Sequence, residues 1–246
     1  MIKFTKIGKH ISNRIGKAIG EYDMIRDGDR ILVGVSGGKD SFTLLKLLSD
    51  RRRWSPVKYE LFAIHVRTDA SYTQQARVKA LKAFCKDIGV KCVFKKIRIL
   101  AKDRKANCFW CSWNRRKMIF ETASKLGCIK VALGHHKDDI AETTLLNILF
   151  HGEFASMNPL QKLFKGNIVI IRPLCNVDES NISRYAKEQN FPSSPCKCPQ
   201  MEDSKRQYIK SFIREMERKY PYIRTNILNS ASRVKAEYLN IKRSSR

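Results

Sequence analysis

Three short groups of residues in this sequence carry side chains suited to chemistry. The first is Ser36-Gly37-Gly38-Lys39-Asp40-Ser41. Adjacent glycines let backbone N–H groups approach an anion, and a helix opening near Ser41 adds the positive end of its dipole. Ser36 and Ser41 supply hydroxyl donors, and Lys39 neutralises phosphate charge. Asp40 is out of place beside an anion unless a Mg²⁺ ion sits between them. The pattern is neither the G-x-x-x-x-G-K-S/T of a Walker loop nor the G-x-G-x-x-G of a dinucleotide fold. The second group is His135-His136-Lys137-Asp138-Asp139. Its carboxylates either answer the dipole of a helix start or contact Mg²⁺ or an activated substrate. Two histidines hint at zinc, but no further ligands follow at suitable spacing. The third group is the C-x-x-C of Cys108 and Cys111, with Cys196 and Cys198 much later. Four thiolates fit a structural zinc site, three fit an iron–sulfur cluster with one open iron, and a dithiol or persulfide role is equally open.

These groups sit at junctions between elements. The apolar run 31–35 predicts a strand leading into the glycine loop, and an amphipathic helix follows it. Strands are expected over 60–66, 90–99, 129–135 and 167–174, and helices over 73–89, 115–127, 137–152 and 178–190, the last with Asp178 as N-cap. Strands alternating with helices mean an α/β fold with a mainly parallel sheet. In such sheets ligands bind at the carboxyl ends of strands, at a switch point.

The chain has 246 residues, 43% of them apolar, enough for one large domain with extensions. The expected organisation is an N-terminal helical segment (1–28), an α/β domain (29–200) and basic C-terminal helices (201–246). In the first segment Ile7, Ile11, Ile15 and Ile19 fall on one helix face. In the last, Tyr208, Phe212, Tyr220 and Tyr222 interleave with lysines and arginines, and Pro221 separates two helices. No apolar run spans a bilayer and no signal-peptide pattern opens the chain, so a cytoplasmic protein with no membrane partner is expected. Cys85, Cys92, Cys128 and Cys175 read as packing residues. Lys and Arg number 49 against 23 acidic residues, a formal charge of +26. Such an excess reads either as a solubilising surface or Lys-rich codon usage, or as a field for a polyanionic partner, above all nucleic acid.

The Ser36–Ser41 motif resembles the PP-loop of the ATP-pyrophosphatase superfamily, an adenine nucleotide α-hydrolase-like, Rossmann-type fold. Members cut ATP between its α and β phosphates, hold the departing pyrophosphate on the loop, and transfer AMP to a substrate oxygen. A nucleophile then displaces AMP. The ordered set SGGKDS, C-x-x-C, GHHxDD and a late Pro-Cys is similar to the tRNA 2-thiocytidine synthetase family. Further segments match, among them "AIGEYDMIRDGDRI", "FHGEFASMNP", "IVIIRPL" and "FPSSPC", across about residues 12–225. The resemblance implies ATP and Mg²⁺ held at Ser36–Ser41 and His135, with Lys39, Asp40, Asp138 and Asp139 in the reaction. It also implies a 4Fe–4S cluster on Cys108, Cys111 and Cys196. The expected reaction adenylates C2–O of an anticodon-loop cytidine of the position-32 type and replaces the oxygen by sulfur. tRNA and a sulfur donor, either a cysteine desulfurase or sulfide, are the partners, and a homodimer is compatible. The chain departs from the family at the late site. Pro195-Cys196-Lys197-Cys198-Pro199 replaces Pro-Cys-x-x-Cys-Gly-Ser-Gln, so Cys198 is the alternative third ligand. After "LFAIHV" it has Arg67 and Thr68 where the family tends to have Asp. Rival readings are thiolation of a tRNA uridine, a lysidine-forming ligase with the same loop, and a non-catalytic RNA-binding protein with structural zinc.

Overall fold

The computed structural model describes residues 4–68, 75–98, 108–192 and 205–238. Its centre is a six-stranded sheet in the order β3-β2-β1-β4-β6-β5. The strands are β1 (Asp29–Gly34), β2 (Tyr59–Thr68), β3 (Lys91–Ile97), β4 (Lys130–Ala132), β5 (Leu160–Leu163) and β6 (Ile168–Ile171). β1 pairs in parallel with β2 on one side and β4 on the other, with Ile31 opposite Leu61 and Leu32 opposite Val131. β4 pairs in parallel with β6, and β3 with β2. Ile31, Leu32 and Val33 and all of β6 are buried, as strands covered on both faces require. The helices are α1 (Lys6–Glu21), α2 (Lys39–Arg51), α3 (Gln75–Asp87), α4 (Cys108–Lys125), α5 (Lys137–Leu146), α6 (Glu179–Glu188), α7 (Lys205–Lys219) and α8 (Ile223–Ser230).

Besides the start of α4, which falls at Cys108 and not at 115 and so takes the C-x-x-C into the helix, two features depart from the sequence reading. The segment expected to be one helix over 137–152 is α-helical to Leu146. It then loosens into a π-helical turn, Asn147–His151, which Gly152 ends in the left-handed region at φ 67°. Such turns lengthen a helix by an extra residue at the cost of weaker hydrogen bonds. The second is the edge strand β5, which pairs antiparallel with β6, Gln161 opposite Ile170. Phe164, Lys165 and Gly166, all at positive φ, make the reversal. Asp178 does occupy the N-cap position of α6, yet it makes no side-chain cap. Its carboxylate meets Lys137 Nζ at 3.1 Å.

The chain divides into two compact units, Met1–Lys137 with Asn158–Glu202 and Asp138–Met157 with Asp203–Arg246. In the first, Ile11 and Ile15 of α1 are fully buried, and Thr5 caps that helix by accepting from Gly8 N at 3.1 Å. Phe42 of α2 is fully buried, edge-on to Phe84 at 4.9 Å and stacked on Phe191 at 5.8 Å. It locks the helix that carries the glycine loop. In the second unit, Ile209 and Ile213 of α7 pack on Ala141, Leu145 and Phe150 with Ile227 of α8. No helix among the described residues is long and apolar enough to cross a membrane.

Phe42→Ala is expected to destabilise the first unit by about 3–5 kcal/mol, the usual cost of deleting a buried aromatic ring. Chemical denaturation followed by circular dichroism measures it, and a loss below about 1 kcal/mol would contradict the anchoring role.

Candidate active site

The connections out of β1 and β4 define the site. From β1 the chain moves to β2 on one side, while β4 lies on the other, so the sheet order reverses between β1 and β4. A crevice opens at the carboxyl ends of strands that part in this way. Two contacts fix the exit from β1: Val35 N donates to Ile64 O at 2.8 Å, and His65 Nδ1 donates to Val35 O at 2.7 Å. The chain then turns through Gly37 at φ 89°, a conformation that side chains disfavour. Gly38, extended, occupies the N-cap of α2. Ser41 Oγ donates to Gly38 O at 2.8 Å, and Ser36 Oγ reaches Ser41 Oγ at 3.3 Å. The loop is thus closed by its own hydroxyls, and the first-turn amides of α2, which lack helical acceptors, face its mouth.

Lys39 Nζ lies 2.9 Å from Asp40 Oδ1 and 3.1 Å from Glu179 Oε1. Burial by itself would lower its pKa, but these two carboxylates outweigh burial and raise it above the ordinary lysine value. Lys39 is therefore a cation throughout the physiological range. Glu179, at the start of α6, is a site residue that sequence reasoning missed. An acidic residue in the first turn of a helix is ordinary, and no local pattern ties it to a lysine 140 positions away.

Gly134 brings the second group to the first. A Cβ on Gly134 would lie 3.1 Å from the carbonyl carbon of Asp40 and 3.2 Å from Ser41 N. The end of β4 therefore packs directly on the backbone that opens α2. His136 Nε2 stands 3.8 Å from Asp40 Oδ1. His135 Nδ1 accepts from Arg172 Nε at 3.3 Å. Arg172 is the second residue missed. It follows β6 and is 6% exposed, and among the described residues its side chain meets neutral groups: His135, the Asn158 carbonyl and Gln161 Oε1. Burial first, and then repulsion from Arg116 of α4, push its pKa down to about 10, still far above neutrality. A buried cation with neutral partners and a cationic neighbour is a strong attractor for an anion.

Asp138 and Asp139 belong to the second unit, where arginines hold them. Arg224 spans Asp138 and Glu217, and Arg206 reaches Asp139 at 2.9 Å and Glu142 at 3.0 Å. Burial raises the Glu142 pKa above the carboxylate norm, with Arg206 opposing it. No three His, Cys, Asp or Glu side chains among the described residues converge on a metal site.

Cys108 and Cys111 occupy the first turn of α4, and Cys111 is half-buried. The Cys108 side chain, Cys196 and Cys198 lie outside the described residues. Four residues separate Lys125, the end of α4, from Lys130, the start of β4. The helix must therefore run antiparallel to the strands and begin beyond their carboxyl ends. Ile119 Cδ1 lies 3.7 Å from where a Gly34 Cβ would be, level with the end of β1. Cys111, eight residues earlier, is about 12 Å further along the axis at 1.5 Å per residue. The C-x-x-C and the glycine loop therefore share the same edge of the sheet.

Residues 7–230 match a PP-loop domain family. The chain is 38% identical over 242 residues to a tRNA-cytidine(32) 2-sulfurtransferase of Geobacter sulfurreducens, covering 94% of this chain and 92% of that one. It is 36% identical over 243 residues to the enzyme of that name from Herminiimonas arsenicoxydans, covering 96% and 75%. In fold it is similar to the U34-tRNA thiolase NcsA of Methanococcus maripaludis, solved with its 4Fe–4S cluster. There the TM-score is 0.77 at 21% identity, over 97% of this chain and 81% of that one.

Gly134→Ala is expected to lower stability by about 1–3 kcal/mol, since backbone on both sides must give way, and to weaken ATP binding in calorimetric titration. Gly20→Ala in α1, where a Cβ meets nothing within 4 Å, is the control and should do neither.

Proposed function

Because the chain belongs to the PP-loop family of tRNA-cytidine 2-sulfurtransferases, we propose that it thiolates C2 of an anticodon-loop cytidine of tRNA, of the position-32 type, at the expense of ATP. The single observation that carries this reading is the shared edge: an anion-binding loop and a C-x-x-C helix start at the carboxyl ends of one parallel sheet.

The residues fit ATP. Gly37, Gly38 and the first turn of α2 offer backbone donors to phosphate, and Lys39 supplies a fixed positive charge. Asp40 and Glu179 converge on Lys39 and are the carboxylates suited to Mg²⁺ beside the phosphates. His135, oriented by Arg172, completes the nucleotide-binding set. The C2 oxygen of the cytidine attacks the α-phosphate. A new O–P bond forms, the bond to the bridging oxygen breaks, and pyrophosphate leaves with its charge held by Lys39 and the loop amides. The oxygen, a poor leaving group by itself, now departs as part of AMP. A sulfide-level nucleophile forms the C2–S bond as the C2–O bond breaks. The reading assigns Asp138 and Asp139 to the reaction as well.

The thiolates fit a metal cluster in residue type and spacing. Cys108 and Cys111 are one helical turn apart, and Cys196, preceded by proline, is the proposed third ligand, with Cys198 the alternative. When bound, a 4Fe–4S cluster on three thiolates supplies one iron without a protein ligand, available to sulfide. A solved relative in fold carries such a cluster. The chain's own contribution is to hold the thiolates close to the loop.

Mass spectrometry of tRNA nucleosides from cells with and without the protein tests the reading. 2-Thiocytidine should vanish on deletion and return with the wild-type gene, but not with Cys111→Ala. Unchanged 2-thiocytidine on deletion overturns the reading. Anaerobically purified protein should contain iron and acid-labile sulfide. Lys39→Met should lower tRNA-dependent pyrophosphate release by about 10²–10³-fold, the scale of one lost transition-state charge contact, while leaving the iron content intact.

A further inference from the structure

The C-x-x-C turn is set among aromatic rings that the chemistry above does not use. Phe109, Trp110 and Trp113 are 73%, 46% and 45% exposed, unusual for side chains of that size. Trp110 and Trp113 are stacked, with centroids 5.3 Å apart and planes within 8° of parallel. Lys117 Nζ sits 5.5 Å from the Trp113 ring, and exposed Arg116 stands one position before it. The helix carrying these rings begins past the carboxyl ends of the strands, on the edge that bears the glycine loop.

We infer that Trp110 and Trp113 form a stacking platform for unpaired RNA bases, seating the single-stranded loop of the tRNA substrate beside the reacting site. The inference rests on the tRNA-thiolation reading and names the surface that reading needs. Three physical points support it. Unpaired bases present π-faces, and proteins that take them stack them on exposed aromatic rings. With Lys117 over the Trp113 ring, a base adds as a third layer on the outer side of Trp110, which is 46% exposed. The cations beside it, Arg116 and Lys117, match the charge of a nucleic-acid backbone. The core of a protein interface is depleted of lysine, whereas Lys117 lies over one of these rings. Paired RNA would gain nothing from the rings, because its bases are already stacked. The platform therefore selects the loop over the stem.

The test is fluorescence and filter-binding titration of the full-length, anaerobically purified protein with two RNAs. One is a stem-loop with an unpaired loop, the other a fully paired duplex of equal length. The stem-loop should quench tryptophan emission and bind more tightly than the duplex. Trp113→Ala, which removes the ring that backs Trp110, should weaken stem-loop binding by about tenfold, the scale of one base–ring stack. Duplex binding, ATP affinity and iron content should be unchanged. Trp113→Phe, which keeps an aromatic face, should retain most of the affinity. Equal stem-loop binding by Trp113→Ala and wild type overturns the platform and leaves the thiolation reading standing. A defect of Trp113→Ala confined to sulfur delivery from a desulfurase, absent with free sulfide, overturns it in favour of a protein-docking face. Failure of the wild type to bind either RNA overturns both readings.

Discussion

The candidate site depends on one approach of backbone to backbone. Gly134, at the end of β4, lies against Asp40 and Ser41 with no side chain between them. That closeness brings two strand ends together at the point where the sheet changes direction. His135 and His136 thereby stand over the loop that β1 delivers. The parallel registers of β1 with β2 and β4 fix the heights of these ends, and Phe42 fixes the helix behind them. The chemistry is arranged by main chain and packing before any charged group is considered, which is the pre-organisation that electrostatic catalysis requires.

Charge is then distributed unevenly over this frame. Lys39 is compensated by Asp40 and Glu179, so the loop is not a bare cation awaiting an anion. A phosphate entering here would compete with carboxylates for the lysine, and a divalent cation would relieve the competition by drawing the carboxylates to itself. Arg172 shows the opposite pattern. It is buried among neutral acceptors, with Arg116 as an additional positive charge, and burial has lowered its pKa without approaching neutrality. The two cations thus differ: Lys39 lies between two carboxylates, and Arg172 meets neutral acceptors among the described residues.

The sequence made the architecture legible where the physical signal is local. The apolar runs of β1 and β6, the spaced isoleucines of α1 and the glycines of the loop each announce themselves within a few residues. The loop's phosphate chemistry was legible because small residues, a lysine and a helix start adjoin in the chain. Glu179 and Arg172 were not, since their meaning comes from partners far along the chain: Lys39 for the first, His135 and Arg116 for the second. The edge strand β5 was missed because it is only four residues long, two leucines flanking Gln161 and Lys162, without the buried run that marked the other strands. The π-helical turn after Leu146 was hidden by a helix-like pattern that continues through it. What the chain order conceals in each case is a tertiary partner, and no propensity carries that information.

The acidic pair Asp138–Asp139 marks where motif reading and electrostatics differ in content. The motif says that two carboxylates open a helix after a strand. The structure adds that they are already spoken for. Asp138 is buried with Arg224, which also holds Glu217, and Asp139 shares Arg206 with Glu142. Charged groups in such surroundings cannot change partners without cost, because each arginine released from a carboxylate must find another anion. A cation arriving at these aspartates would free arginines, and an anion arriving at the arginines would free aspartates. The pair is thus part of a charge network on α5, α7 and α8 in which each aspartate shares its arginine with a glutamate.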